Sequence, residues 1–291
     1  MKKVIKKVVV IGSGVMGSGI AGQIANSCNE VLLLDIVPSG SDNKNILALN
    51  AVEKLKNSGG IVNDSKLKYI TVGNIEDDLE KVKNADWVIE VILEDLNTKQ
   101  NLYGKIEKYL LDDMIISSNT STIPLQKLIA NRSEKFQKSF LITHFFNPPR
   151  YMALLELVVS NKTDPNKILI IEEFIDKSLG KNIVKCKDTS GFIANRIGCF
   201  FMFKALSSAI KLNISINNAD NYISKFMSIP KTASFGLMDL IGIDVMDLIA
   251  KSLTNNLHTE DKIFEVYSQN EKEILSYMIK EGFIGRKGKG G

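Results

Sequence analysis

Three observations predict an α/β chain in which a doubly wound, mostly parallel sheet is followed by an all-α domain. Short apolar, β-branched runs alternate with helical periodicities over roughly the first 190 residues. The loop after the first run is rich in glycine. Beyond Gly191 only helical periodicity remains, so the domains are expected at 1–189 and 190–291.

The segment from Lys7 to Asp35 organises the first domain. Val8 to Ile11 reads as a strand, Gly12, Gly14 and Gly17 form G-x-G-x-x-G, an Ala- and Ile-rich helix follows, and Val31 to Leu34 is a second strand ending at Asp35. The first glycine permits a tight turn, the second lets backbone approach a pyrophosphate, and the third lets helix pack on strand. The helix N-terminus offers unbonded N–H groups and a positive dipole end. A carboxylate at Asp35 suits an adenosine ribose and repels a 2′-phosphate, so a Rossmann-like site for NAD is expected. Val15 and Met16 belong to the same loop. The plainer alternative for Asp35 is a solvated strand end.

Composition excludes several classes. With 44% hydrophobic and 24% charged residues and a net charge of +4, the 291-residue chain reads as an ordinary globular protein. The 33 lysines against four arginines, with no basic run interleaved with aromatics, give no nucleic-acid surface. Cys28, Cys186 and Cys199 are odd in number and widely spaced, so reduced thiols buried as small hydrophobes in a cytoplasmic protein are expected. No Cys or His cluster suggests a metal. The uncharged stretch Val8 to Asn29 mimics a membrane span, but five glycines, Gln23, Asn26 and Asn29 make it a poor one.

In order, the pattern predicts a helix over Asn45–Lys56, a strand over Ile70–Val72 and a short helix over Ile75–Lys83. An apolar strand run from Trp87 to Leu93 contains Glu90, and a helix from Asn97 to Leu110 follows. Strands are expected over Met114–Ser118, Phe140–Phe146 and Ala153–Val159, with Pro124 at a first helical position. A helix after Asp164 closes at Gly180 and leads to a last strand, Asn182–Cys186. The second domain is expected to hold helices over 191–212, 217–227, 235–253 and 262–280.

His144 sits in the apolar run FLITHFF, whereas His258 lies in a polar region and reads as surface. If the turn in Asn147-Pro148-Pro149-Arg150 centres on Arg150, residues whose numbers sum to 300 face each other, which sets Glu156 opposite His144. A carboxylate fixes an imidazole's tautomer and suits it as a general base; a structural pair would read the same. Ser121 follows Asn119 and Thr120 at a strand's C-terminal end, where open α/β sheets bind ligands, although it or Thr122 could simply cap the next helix.

The motifs IGSGVMGSGIA, ADWVIEVILED, SSNTST, THFFNPPRYMALLELV, KDTSGFIANRI and FGLMDLIGIDV together resemble the 3-hydroxyacyl-CoA dehydrogenases over nearly the whole chain. The nearest likeness is to the dehydrogenase part of bacterial multifunctional fatty-acid oxidation proteins. The resemblance implies NAD-dependent oxidation of (S)-3-hydroxyacyl-CoA in fatty-acid β-oxidation, with His144 as base and Glu156 as its orienting acid. Ser121 and Asn195 would hold the substrate oxygen and the nicotinamide end. Asp35 would bind the adenosine ribose, and Glu94, Lys99 and Asn119 would line the cofactor cleft. The helical domain would close over the acyl-CoA and make a homodimer. The chain departs from the family at Ser190, where Pro is usual, and in the segment after Asp35, where Lys54, Lys56, Lys66 and Lys68 could replace the family's CoA-facing lysines. It ends at Gly291 without a hydratase module. A dehydrogenase of small hydroxy acids, or a shortened NAD-binding fragment with little activity, are the alternatives.

Overall fold

The computed structural model describes residues 4–291; residues 1–3 of the expected first domain lie outside the described residues. One compact unit ends at Asp188 and a second runs from Thr189 to Gly291. In the first, β1 (Lys7–Ile11), α1 (Val15–Asn26), β2 (Glu30–Asp35), α2 (Ile46–Asn57), β3 (Ile70–Asn74), β4 (Trp87–Glu90), α3 (Leu96–Ile106) and β5 (Ile115–Ser118) follow one another. Then come α4 (Leu125–Leu128), α5 (Glu134–Ser139), β6 (Phe140–Phe145), β7 (Leu154–Val158), α6 (Pro165–Lys177) and β8 (Asn182–Cys186). The strands form one sheet in the order β3-β2-β1-β4-β5-β6-β7-β8. All neighbours are parallel except β6 and β7. Strands buried on both faces read as continuous apolar runs, which explains VVVI and WVIE. The chain reverses at β1 between β2 and β4, which opens a crevice at the C-terminal strand ends.

Several expected elements change for local reasons. The short helix expected over 75–83 is a turn followed by a 3-10 segment, Leu79–Asn84, because Asn74 Oδ1 accepts from the amides of Glu76 and Asp77 at 3.0 and 2.9 Å. The run from Trp87 to Leu93 stops being strand at Glu90, whose Oε1 takes the Ile92 amide at 2.8 Å and turns the chain. Pro124 caps α4 rather than opening it, since Asp188 accepts from the Leu125 and Gln126 amides. The 3-10 segment Asp64–Tyr69, capped by Asn63, and α5, capped by Ser133, were not anticipated.

The second unit holds α7 (Ala194–Lys211), α8 (Ile216–Met227), α9 (Phe235–Ile241), α10 (Ile243–Asn256), α11 (Ile263–Val266) and α12 (Gln269–Lys280). The single helix expected over 235–253 is two, because Gly242 takes φ +105°. The one expected over 262–280 is also two, because Ser268 and Glu271 form a capping box that starts α12 afresh. These helices enclose their own core of Phe203, Met246, Leu253, Tyr267 and Leu275. Among the described residues no helix is long and apolar enough to cross a membrane, and no group of His, Cys, Asp or Glu could hold a metal ion.

The cysteines depart from expectation: only Cys199 is buried, Cys186 is half-buried and Cys28 is exposed. Cys28 lies just past the end of α1 at φ +64°, and Lys66 Nζ donates to its sulfur at 2.6 Å. That hydrogen bond holds its thiol below the ordinary value, whereas burial pushes Cys199 up to about 12. A thiol reagent under native conditions should therefore label Cys28 rapidly and leave Cys199 untouched until unfolding. Survival of the fast phase in Cys28→Ser would contradict this placement.

Candidate active site

Each glycine of the opening loop has a separate cause. Gly12 takes φ +104°, and a Cβ there would stand 2.4 Å from the Val91 carbonyl oxygen. A Cβ on Gly17 would stand 1.8 Å from the Gly12 oxygen, so only glycine lets α1 pack on the turn. Gly14, at the N-cap of α1, has an ordinary φ of −61° and open space where a Cβ would point. The first turn of α1 carries no side-chain cap and no acid. Backbone N–H groups facing space only glycine leaves clear are what a pyrophosphate needs, so these residues fit a dinucleotide.

Asp35 is fixed beside this loop. Its Oδ2 accepts from the Ser13 amide at 2.7 Å and from the Ser13 hydroxyl, and its Oδ1 accepts from the Ile36 amide at 2.7 Å. A cavity of about 620 Å³ opens against Ser13, Gly14 and Asp35, with Lys54, Pro149 and Arg150 on its other walls. Val15 lies on the same wall and is exposed, while Met16 is partly buried against the core. Of the lysines after Asp35, Lys54 lines this cavity. Lys56 pairs with Asp64, Lys66 with Cys28, and Lys68 lies over the Tyr69 ring.

At the ends of β4 and β5 lies a buried polar network. Glu90, 0% exposed, accepts from Lys99 Nζ at 2.6 Å, Tyr103 Oη at 2.5 Å and Ser118 Oγ at 2.6 Å. Lys99 is 1% exposed and also approaches Glu94 at 3.4 Å. Glu94 Oε1 accepts from Thr120 Oγ1 and from the amides of Ser121 and Thr122 at 2.6, 2.9 and 3.1 Å. Burial raises the Glu94 pKa, but the Lys99 ammonium and these donors outweigh it and hold the carboxyl below the usual range. Burial, then the Glu90 charge, push the Tyr103 phenol well up, so it remains a donor. Ser121 and Asn119 thus sit on a loop tied down from below, and Asn119 Oδ1 accepts the Phe145 amide at 2.9 Å beside His144.

The β6–β7 pairing places His144 opposite Glu156, the register expected from the turn. His144 Nδ1 and Glu156 Oε2 are 2.7 Å apart, with 5% and 1% of each residue exposed. With Nδ1 donating to the carboxylate, the other nitrogen of the neutral ring is a proton acceptor. Ser121, Asn119, Glu94, Asp35, Gly12 and Gly14 lie at the C-terminal ends of the parallel strands or in the loops that follow, whereas Gly17 is in the first turn of α1, Lys99 within α3 and Glu156 at the middle of β7, all in the first unit. Asn195 is in the second unit, second residue of α7. His258 is exposed, its side chain 78% accessible. The sequence left Ser13 and the anchoring role of Glu90 unassigned. An acid inside WVIEVIL was a usable signal for Glu90, whereas a serine between two glycines carries none.

Family models settle the kinship. The model for the NAD-binding domain of 3-hydroxyacyl-CoA dehydrogenase matches residues 7–189, and that for the C-terminal domain matches residues 191–291. The chain belongs to the 3-hydroxyacyl-CoA dehydrogenase family. As in that family, the cofactor is NAD. The chain is 46% identical, over its whole length and 40% of the other, to a putative fatty acid oxidation complex trifunctional enzyme of Rickettsia prowazekii. It thus spans about two fifths of the length of this relative and of its Rickettsia felis counterpart. It is 39% identical to a probable 3-hydroxyacyl-CoA dehydrogenase of Deinococcus radiodurans, covering 97% of this chain and 81% of the other. Among solved structures, M. tuberculosis FadB2 superposes with a TM-score of 0.82 at 27% identity, covering 99% and 98% of the two chains. The (S)-3-hydroxybutyryl-CoA dehydrogenase PaaH1 of Ralstonia eutropha gives 0.80 at 27%, covering 97% and 96%.

In this dehydrogenase-family chain, Gly14→Ala should leave thermal stability nearly unchanged while weakening NADH binding at least about tenfold, because its methyl fills the cradle. Gly17→Ala should lower stability by about 3 kcal/mol or more, since backbone must move. Equal effects of the two substitutions on melting temperature would contradict the division of labour.

Proposed function

We propose that the protein oxidises the 3-hydroxyl of (S)-3-hydroxyacyl-CoA to the 3-oxo product, with NAD as oxidant, in fatty-acid β-oxidation. The observation carrying this reading is the buried His144–Glu156 pair, with His144 near the C-terminal end of β6 as the glycine loop and Asp35 are at those of β1 and β2. NAD supplies the hydride acceptor when bound. His144 Nε2 takes the hydroxyl proton as C3 loses hydride, and the carboxylate 2.7 Å from Nδ1 balances the imidazolium that results. Ser121, on the loop secured by Glu94, and Asn195 orient the substrate oxygen and the nicotinamide end. Asp35, held by Ser13 and Ile36, accepts from the adenosine ribose hydroxyls and disfavours a 2′-phosphate. Lys54 gives the cavity wall a cation suited to the phosphates of CoA.

The second unit is proposed to serve substrate binding and to form a homodimer. Its exposed apolar residues Ile197, Leu212, Phe226 and Leu248 supply surface that a partner would cover. Three cysteines outside any disulfide favour a cytoplasmic location.

NADH formation should be seen with (S)-3-hydroxybutyryl-CoA or longer 3-hydroxyacyl-CoAs and not with free hydroxy acids. Turnover of free acids alone would move the substrate assignment, and turnover of none would remove the activity. His144→Ala should cut kcat roughly 10²–10⁴-fold with NADH affinity intact, the usual worth of a general base. Near-normal kcat in that variant would refute the base.

A further inference from the structure

The segment 146–153, which joins the strand of His144 to the strand of Glu156, is held from three sides. A Cβ on Gly19 would lie 2.9 Å from Pro149, so α1 backs directly onto the turn. Arg150 donates to the carbonyls of Gly59 and Ile61, and Tyr151 Oη to that of Gly59. From the third side comes Lys181, only 3% exposed, whose ammonium donates to the carbonyls of Pro149 and Met152, the latter at 2.7 Å.

A buried ammonium is a costly way to fill space, since a methionine of similar volume would pack without desolvating a charge. Burial pushes the Lys181 pKa down, the mark of that cost. Lys167 provides the contrast. It is equally enclosed, at 6% exposure, but its bonds go to Met114 O at 2.9 Å and Ser139 Oγ at 2.6 Å, beside the N-terminal ends of β5 and β6. That is the end of the sheet remote from the ligand crevice. Lys181 grips the opposite end, where Asn147, Pro149 and Arg150 form one wall of the cavity whose other wall is Ser13, Gly14 and Asp35.

We propose that Lys181 is a positioning residue whose buried ammonium holds the connector 147–153, of which residues 147–151 line the cavity, and so sets ligand affinity rather than the rate of the chemical step. The proposal rests on the dehydrogenase reading for the identity of the ligands. The His144–Glu156 pair is fixed by strand register, so loosening the connector spares the chemistry while the cavity loses a defined wall.

The test compares Lys181→Met and Lys181→Gln with Lys167→Met, reading kcat, KM for 3-hydroxybutyryl-CoA, the NADH dissociation constant and amide exchange of residues 147–153. Both Lys181 variants should raise KM and the NADH constant roughly tenfold, the scale of hydrogen bonds from a charged donor, with kcat within about threefold of the parent. Exchange over 147–153 should quicken by a similar factor. Lys167→Met, at the remote end of the sheet, should move neither binding constant. Lys181 variants with parental binding constants, or with kcat lowered at constant KM, would overturn the proposal. So would rapid exchange of residues 147–153 in the unmodified protein, a measurement independent of whether either variant folds. Absence of turnover in the parent would remove the dehydrogenase reading, while NADH affinity and exchange would still decide the role of Lys181.

Discussion

A carboxylate and an imidazole face each other across two strands in the interior, and the rest of the first unit is arranged so that they can. Glu156 is flanked by Leu155 and Leu157 and lies 1% exposed, where an unpaired acid would cost several kcal/mol. His144 relieves that cost, and the carboxylate in turn fixes which ring nitrogen carries the proton. The pairing depends on strand direction. A crossover connection between parallel strands would have set residues twelve apart at unrelated heights, whereas the antiparallel hairpin places them side by side. One reversed connection in an otherwise parallel sheet thereby sets His144, held by Glu156, near the C-terminal strand ends from which the glycine loop also emerges.

The surrounding charges follow the same economy. Buried Glu90 and Lys99 and the more exposed Glu94 form a chain of alternating sign, and its outer member orders the Ser121 and Thr122 amides. Because every oxygen named in that chain accepts at least one good donor, charges that would be ruinous singly become a rigid floor for the Ser121 loop. Asp35 is treated likewise, its carboxylate oriented by the Ser13 and Ile36 amides as the proposed ribose contact requires. Preorganisation of this kind lowers the entropy cost of binding and sharpens the discrimination that a single acid can supply.

The glycine loop, both flanking strands and the hairpin register were legible in the sequence, because each rests on a short-range rule of spacing or alternation. The helical breaks at Gly242 and Ser268 were not, since helical periodicity runs on through a glycine or a serine and only backbone geometry reveals the stop. The run WVIEVIL carried too much apolar content to betray that Glu90 ends its strand with its own carboxylate. Motif resemblance proposed that Lys99 lines the cofactor cleft. Its 1% exposure comes from Glu90 and Glu94, both within the quoted ADWVIEVILED motif, whose side chains only the fold turns toward the lysine of α3. Cys28 illustrates the same limit, for a small apolar thiol at a helix end reads as core until its left-handed backbone turns it outward.

The central claim, that Glu156 holds His144 ready to accept a proton at Nε2, can be read directly from the nitrogen chemical shifts of the imidazole. The chain has two histidines, so His258→Gln assigns the signals without ambiguity. In the neutral ring the account predicts a protonated Nδ1 and a bare Nε2, with that preference lost in Glu156→Gln. A neutral His144 carrying its proton on Nε2 would contradict it.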